Sequence, residues 1–179
     1  MIWTLFKRKK ANRALVEQQY DSLTEAARSP VFYEAMDVPD TVMGRFEMIS
    51  VHLFLYLRRT ASSGPAAKGI SQDIVDAFFE DVDYSIRELG VGDPSVPKRM
   101  KKFARMFYGR AKSYGQALDD GDAVALAEAL RRNIHPDLHE AVPSMQSLAD
   151  WMARTERQLE DVPEEALAAG RLAFPAVDQ

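Results

Sequence analysis

Apolar residues recur at helical spacing along almost the whole chain, and no segment alternates between apolar and polar positions as a strand would. Residues 11–28 and 71–89 each carry one apolar stripe with a polar face opposite. Residues 51–57 (Val-His-Leu-Phe-Leu-Tyr-Leu) are apolar on nearly every face, which predicts a central buried helix over about 41–59. The pattern therefore predicts an all-α fold, a single-domain orthogonal bundle of about six to eight helices.

Local signals place the ends of these helices. Residues 61–69 (Ala-Ser-Ser-Gly-Pro-Ala-Ala-Lys-Gly) are predicted to form a loop, and a new helix is predicted from near Ser95, with Pro97 in its first turn. Pro163 could begin a last short helix before a fraying tail. The residues predicted to cap the other helices are Asp40 or Thr41, Ser71, Asp122 and Ser144.

The length and composition indicate one globular domain. The chain has 179 residues, of which 46% are hydrophobic and 28% are charged. It contains no cysteine, which excludes disulfides, thiolate metal sites and a thiol nucleophile. No apolar run approaches the ~18 residues of a membrane-spanning helix. We expect a leader at 1–10 followed by one domain at 11–179.

The net charge is only -4, but basic and acidic residues are concentrated in different segments of the chain. Residues 1–16 hold five basic and no acidic residues, and residues 96–116 hold seven basic and no acidic residues. Residues 71–93, in contrast, hold seven acidic residues and one basic residue. The two basic segments are therefore where we expect partners to bind.

The N-terminal leader places its apolar and aromatic residues before its cations, which is the reverse of an export signal. This order suits a short interfacial anchor, with the aromatic rings at the headgroup level and the cations on anionic lipid. The alternative is a leader that packs on the domain while its charges are solvated. The candidate membrane-binding residues are Ile2, Trp3, Phe6, Lys7, Arg8, Lys9 and Lys10.

Catalytic motifs are absent from the sequence, which contains no phosphate-binding GxxxxGK[ST], no GxGxxG after a strand and no GxSxG elbow. His135 and His139 are four residues apart, but Pro136 between them makes a helical metal site improbable. His52 lies in the nearly all-apolar helix and is interpreted as a hydrogen-bonded core residue rather than a general base. We expect no enzyme, and no catalytic residue, cofactor or metal.

Four carboxylates, Asp73, Asp76, Glu80 and Asp83, follow one face of a helix. The favoured interpretation is that this acidic ladder pairs with the basic helix that comes next. A solvated face is the second possibility. The third is a magnesium site in a helical enzyme directed at an isoprenoid or quinone.

Two long blocks, at residues 39–59 and 78–114, resemble the ubiquinol–cytochrome c chaperone family, whose members are assembly factors of ubiquinol–cytochrome c reductase. The leader lacks the arginine- and serine-rich composition of a transit segment, so the resemblance is to a bacterial-type member. The matching residues in the first block are Asp40-Thr41, Gly44-Arg45-Phe46, His52 and Leu57-Arg58. Those in the second are Asp83, Arg87-Glu88, Gly90-Val91-Gly92-Asp93, Val96-Pro97-Lys98-Arg99-Met100-Lys101 and Phe107-Tyr108-Gly109-Arg110.

The resemblance implies a non-enzymatic chaperone that binds newly made cytochrome b. In mitochondrial members of the family this role involves a small co-chaperone and the ribosome, which the resemblance implies as further partners. The anchor-like leader predicts a peripheral position at the cytoplasmic face of the inner membrane, and the net charge of -4 argues against DNA binding. We predict an apolar groove between helices 41–59 and 96–118, rimmed by basic side chains. RNA or ribosome binding through the basic helix 96–116 is the alternative. The candidate partner-binding residues are Arg45, Arg58, Asp83, Arg87, Asp93, Lys98, Lys101, Tyr108 and Arg110.

Overall fold

The computed structural model describes residues 2–88, 90 and 92–177, and their side chains except those of 2–12 and 93. All regular structure in these residues is helical, so the prediction of an all-α bundle is confirmed. One 3₁₀ turn, Asp93–Ser95, precedes the fifth helix. The helices are α1 (Ile2–Ala27), α2 (Pro30–Glu34), α3 (Val42–Ala61), α4 (Pro65–Glu88), α5 (Val96–Asp119), α6 (Ala123–Ile134), α7 (Pro143–Glu160) and α8 (Glu164–Ala168).

The four long helices α1, α3, α4 and α5 alternate in direction. Ring centroids of Phe46 on α3 and Phe103 on α5 lie 4.9 Å apart, and Arg58 of α3 contacts Asp119 of α5 at 2.8 Å, so α3 and α5 run parallel. α4 runs the other way, because only residues 62–64 join it to α3. α1 packs beside α4 and runs parallel to it, since Arg13 and Asp73 line one cavity and Tyr20 contacts Asp81 further along both helices. We call the end where α3 and α5 begin the upper end, and the end where α1 and α4 begin the lower end.

Helix α3 lies at the centre of the core, as its sequence predicts. Every residue from Val51 to Tyr56 is buried, and α3 packs against α1, α4, α6 and α7. The α5 rings that are fully buried in this core are Phe107 and Tyr114, each 1% exposed. One hydrophobic cluster spans the bundle, so the position of each helix is fixed by packing against α3 or its neighbours.

Two predicted caps are confirmed. The Gly44 amide donates to Thr41 Oγ1 at 3.1 Å at the start of α3, and the Ala125 amide donates to Asp122 Oδ1 at 2.8 Å at the start of α6. Each hydroxyl or carboxylate satisfies an amide that has no partner within its helix. The predicted short helix after Pro163 is also present as α8.

The predicted loop at 61–69 is wrong, because α4 already begins at Pro65 and only residues 62–64 separate it from α3. Proline is favourable in a first helical turn, where its missing amide would have no partner. Ser71 consequently lies inside α4 and donates to the Ala67 carbonyl at 2.8 Å instead of capping a helix. Ser144 likewise lies inside the first turn of α7, which begins at Pro143 after Val142.

Candidate partner-binding surface

Helix α5 presents an exposed cationic face. Spacings of three, four and seven residues place its members on one side of the helix, away from the buried Phe107 and Tyr114. The face extends over roughly 20 Å at 1.5 Å per residue. Among the described residues, no ion pair joins these cations to an acidic side chain. The cationic face consists of Lys98, Lys101, Lys102, Arg105 and Lys112.

An exposed tyrosine marks the edge of this face nearest α4. Tyr108 is 58% exposed, and its ring centroid lies 5.3 Å from that of Phe107 and 6.5 Å from that of Phe79. The inner side of the Tyr108 ring therefore packs on these two phenylalanines, while its outer side is exposed to solvent. A supported aromatic ring beside cations is a common feature of binding surfaces.

The upper end adds apolar surface close to the first turns of α5. Val42 and Met43, at the start of α3, are 57% and 42% exposed. Gly44 permits a close backbone turn here, because an added Cβ would lie 1.8 Å from the Pro39 carbonyl oxygen. Since α3 and α5 begin at the same end, this apolar surface and Lys98 both lie at the upper end of the bundle. The upper end therefore combines apolar and basic groups.

Arg110, the one cation of α5 that is buried, forms an ion pair with Glu47 of α3. The two side chains are only 8% and 2% exposed, and Arg110 Nε donates to Glu47 Oε2 at 2.5 Å while the second guanidinium nitrogen contacts Oε1. Burial raises the pKa of Glu47, and the hydrogen bond and charge of Arg110 act in the opposite direction. Arg110 therefore fixes α5 against α3 and has almost no surface to offer a partner.

Arg58 is also occupied within the bundle. Its guanidinium donates to Asp119 at 2.8 Å and contacts Glu156, so it joins α3 to α5 and α7. Gly115 leaves room for it, since a Cβ there would approach Arg58 Nη1 to 3.4 Å. Arg45 is more open: its side chain is 59% exposed and pairs with Asp40 at 2.8 Å.

Asp83 and Arg87 form a pair one helical turn apart on α4, with 2.7 Å between Arg87 Nε and Asp83 Oδ2. Both side chains retain surface at the upper end of α4, beside the loop that leads into α5. The prediction for Asp93 falls on a side chain outside the described ones. Of the predicted residues, Lys98, Lys101 and Tyr108 therefore lie together on the exposed side of α5, and Asp83 and Arg87 form a separate pair on α4.

The acidic ladder does not pair with α5 within the described residues, so the favoured interpretation is wrong. Phe78 and Phe79 are the α4 residues that face Phe107, with ring centroids 5.4 Å and 6.2 Å from it. Three ladder residues lie beside α1 instead, and the fourth, Asp83, pairs with Arg87 of α4. A shallow cavity of about 460 Å³ lies over the ladder between α1 and α4, lined by Arg13, Val16, Glu17, Asp73, Asp76, Ala77 and Glu80.

Core side chains fill the space between α3 and α5, where we predicted an apolar groove. Phe46 and Phe103 form an edge contact there, and the ring centroids of Phe54 and Tyr114 lie 5.9 Å apart. The buried pair of Glu47 and Arg110 occupies the space between these ring pairs. The wide apolar face of α3 is therefore explained by packing.

His52 is a core residue, as predicted. Its Nδ1 lies 2.8 Å from the Met48 carbonyl oxygen, which it meets as a donor, and its ring contacts Phe32 and Trp151. Burial lowers the pKa of His52 to about 4, so the ring is neutral near neutral pH. In the part of the chain that the structure describes, no three His, Cys, Asp or Glu side chains are grouped to bind a metal.

The leader belongs to a continuous helix. Since α1 begins at Ile2, residues 2–10 are the first turns of that helix rather than a separate segment. The membrane-binding residues predicted there, Ile2 to Lys10, have side chains outside the described ones. No helix in the described part of the chain is long and apolar enough to cross a membrane.

Residues 171–177, predicted to fray, are packed on the bundle instead. Leu172 is 1% exposed, and the Phe174 ring centroid lies 4.8 Å from that of His52. We call residues 171–177 the strap. Its sequence offers only the alternation of Leu172 and Phe174 with more polar or smaller residues, which is too short to predict where they pack.

Together these features define a class of protein: an all-α bundle with a tightly packed core and an exposed cationic, aromatic-edged helix face. The family model for the ubiquinol-cytochrome C chaperone matches residues 34–174, and the chain belongs to this family. The family resemblance inferred from the two sequence blocks is thereby confirmed.

Solved and curated relatives agree with this assignment. The crystal structure of the Cbp3 homolog from Brucella abortus is 51% identical, superposes with a TM-score of 0.90, and covers 100% of this chain and 99% of that one. Ubiquinol-cytochrome-c reductase complex assembly factor 1 of Xenopus laevis is 26% identical over 65% of this chain and 58% of its own length. The Homo sapiens protein of that name is 24% identical over 90% and 54%. The chain therefore spans little more than half the length of these curated relatives.

Proposed function

We propose that this chain is a non-enzymatic assembly factor for ubiquinol–cytochrome c reductase that binds newly made cytochrome b until its partner subunits arrive. Its family membership and the names of its curated relatives support the first part of this proposal. The observation that carries the second part is the exposed cationic face of α5, which has no acidic partner among the described residues. The role requires a binding surface and no catalytic group.

The upper end suits a membrane-protein client in two ways. A client such as cytochrome b presents apolar helices joined by charged loops. The exposed Met43 and Val42 can contact apolar segments, and methionine adapts to many shapes. Lys98, Lys101 and Tyr108 can meet acidic loops, where cations increase the association rate and favour one orientation.

The other predicted contact residues take different roles in this proposal. Asp83, Arg87 and Asp93 would border the same surface from the α4–α5 connection, and Arg45 would extend it along α3. Arg58 and Arg110 act indirectly, because their ion pairs hold α5 at its angle to α3 and α7. Variants of these two arginines should therefore affect folding before they affect binding.

A triple charge reversal tests the cationic face. We expect Lys98→Glu, Lys101→Glu and Arg105→Glu together to abolish recovery of cytochrome b with the tagged chain from solubilised membranes, and to lower the amount of assembled reductase. The matched control reverses three exposed cations elsewhere, Lys68→Glu, Arg154→Glu and Arg157→Glu, with the same change in net charge. Equal recovery of cytochrome b with both variants would contradict the proposal.

We further propose that the chain lies at the cytoplasmic face of the inner membrane, attached peripherally through residues 2–10. A small co-chaperone and the ribosome are proposed as additional partners. Vesicles with and without anionic lipid test the attachment, because the leader's cations should add about 1 kcal/mol each at an anionic surface. Trp3→Ala with Phe6→Ala should lower sedimentation with anionic vesicles, and unchanged sedimentation would remove the leader from this role.

RNA binding is the second candidate, and the same observation favours it. Cations interleaved with an exposed ring, as around Tyr108, can contact phosphates and stack on a base. Binding to single-stranded RNA should then weaken steeply and log-linearly as salt rises. A flat salt response, or equal RNA binding by the triple reversal and its control, would exclude this candidate.

A further inference from the structure

The strap is held by a buried glutamine that recognises backbone. Gln19 of α1 is 1% exposed, and its amide makes two hydrogen bonds to one residue of the strap. Its Nε2 donates to the Leu172 carbonyl oxygen at 2.7 Å, and its Oε1 accepts from the Leu172 amide at 2.6 Å. A side-chain amide used in this way replaces the neighbouring strand that would normally pair with an extended segment. This contact selects backbone conformation and is independent of the side chain at position 172.

The strap's side chains supply the second part of the contact. Leu172 is buried, Ala173 between it and Phe174 is exposed, and Phe174 packs on the His52 ring. This alternation is that of an extended segment with every second side chain directed at the bundle. Pro175 favours the extended conformation at Phe174, because the proline ring disfavours the helical region for the residue before it.

The surface beneath Phe174 is an aromatic cluster contributed by three helices. His52 of α3, Phe32 of α2 and Trp151 of α7 are in mutual contact, with ring centroids 4.7–5.4 Å apart. The Trp151 indole nitrogen is buried and has no hydrogen-bond partner. Phe174 covers this cluster yet remains partly exposed itself.

We propose that Gln19 and the His52 cluster form a binding site for an extended segment of the client protein, which the proposed function identifies as cytochrome b, and that the strap occupies this site until such a segment replaces it. The segment would carry an apolar residue followed two positions later by an aromatic one, which is the pattern of the strap itself. The inference rests on the proposed function for the identity of the partner. The site is separate from the cationic face, because it is built on α1, α2, α3 and α7 rather than on α5.

The strap is suited to displacement because its attachment is local. It contains no helix of its own. Its described contacts are the Gln19 pair, the buried Leu172 side chain, the partly buried Phe174 and Val177 side chains, and the hydrogen bond from the Arg171 amide to the Ala166 carbonyl at 2.9 Å. Gly170, with φ of +61°, provides the turn at which the strap leaves the end of α8. Releasing these few contacts leaves the packing between the long helices intact.

A peptide with the strap sequence, residues 171–177 (Arg-Leu-Ala-Phe-Pro-Ala-Val), is the probe. In the full chain, Phe174→Ala should weaken the attached strap, so that the labelled peptide binds this variant about tenfold or more tighter than the wild-type chain. A peptide with alanine in place of its phenylalanine should lose this gain. Tyr84→Ala, which removes another exposed ring, is the control and should bind the peptide like wild type.

Amide hydrogen exchange of the wild-type chain provides an independent test. The Leu172 amide should be protected, yet it should exchange much faster than the slowest amides of α3, because the strap opens without global unfolding. The proposal is overturned if Leu172 exchanges only as fast as the slowest core amides, or if Phe174→Ala binds the peptide no tighter than wild type. Both readouts are independent of cytochrome b recovery, so failure here and failure of the proposed function are distinguishable.

Discussion

Replacing Arg110 with methionine should strongly destabilise the protein. Methionine is similar in length and removes the charge, which leaves the Glu47 carboxylate buried at 2% exposure without its partner. Breaking a buried ion pair from one side costs about 3–5 kcal/mol. For a domain of this size each kcal/mol lowers Tm by roughly 2–4 °C, so we expect a fall of roughly 6–20 °C.

The same variant should show a characteristic pH dependence. Burial already raises the pKa of Glu47 above its ordinary value of 4.5, and Arg110 is the group that lowers it. Without Arg110 the pKa of Glu47 in the folded state rises further, so the folded variant binds a proton that the unfolded chain releases. The stability of the variant should therefore fall as pH rises above about 4.5, and the loss relative to wild type should be smaller at ~pH 5 than at ~pH 8.

Urea unfolding of wild type, Arg110→Met, Glu47→Gln and the double variant measures these effects as a double-mutant cycle. The double variant should recover part of the loss, because it buries no unpaired charge. Arg13→Ala is the control: it breaks the exposed pair with Glu17, whose side chains are 82% and 62% exposed, and should cost less than about 1 kcal/mol. A loss below about 1 kcal/mol for Arg110→Met, or a loss that grows as pH falls, would refute the reasoning.

Three further variants or titrations test other parts of the bundle. The pKa of His52 is about 4 in the folded protein and 6.5 in the unfolded chain, so the unfolded chain binds a proton first as pH falls. The free energy of unfolding should therefore fall by about 3 kcal/mol between pH 6.5 and pH 4. An NMR titration of the His52 ring with a midpoint near 6.5 would contradict this. Gly44→Ala should lower the free energy of unfolding by about 1–3 kcal/mol in thermal unfolding, because the added Cβ meets the Pro39 carbonyl. Gly69→Ala is the control: its Cβ meets nothing within 4 Å, so the substitution should be neutral or stabilising. In urea unfolding, Asp122→Ala should lower the free energy of unfolding by about 1 kcal/mol, whereas Asp122→Asn, which can still cap α6, should leave it nearly unchanged. Equal losses in the two variants would exclude capping as the cause.

The sequence is sufficient to predict the helices whose apolar stripe is long and whose caps are strong. The central position of α3 follows from residues 51–57, and Thr41 and Asp122 cap as their chemistry suggests. Boundaries near proline are predicted less well, since Pro65 and Pro143 begin helices that were expected to start later. Proline signals a boundary in sequence, but only the surrounding packing decides whether the helix starts there.

Side-chain roles on α5 illustrate what a single sequence leaves undetermined. Arg110 and Lys101 both lie in the basic segment, yet one is buried against Glu47 and the other is exposed. The difference depends on Glu47, which lies 63 positions away in the chain. The strap depends on a still longer separation, 153 positions between Gln19 and Leu172, and no local pattern encodes it.

The alternating directions of the long helices separate the two basic segments in space. α1 begins at the lower end and α5 at the upper end, and α4 between them has 24 residues, a length of about 36 Å. If the leader lies in lipid and α4 stands upright, the first turns of α5 reach several Debye lengths into the aqueous phase. Under that proposed attachment the two positive segments would be electrically independent: the leader would contact the anionic surface, and the cationic face of α5 would stay available to a protein partner.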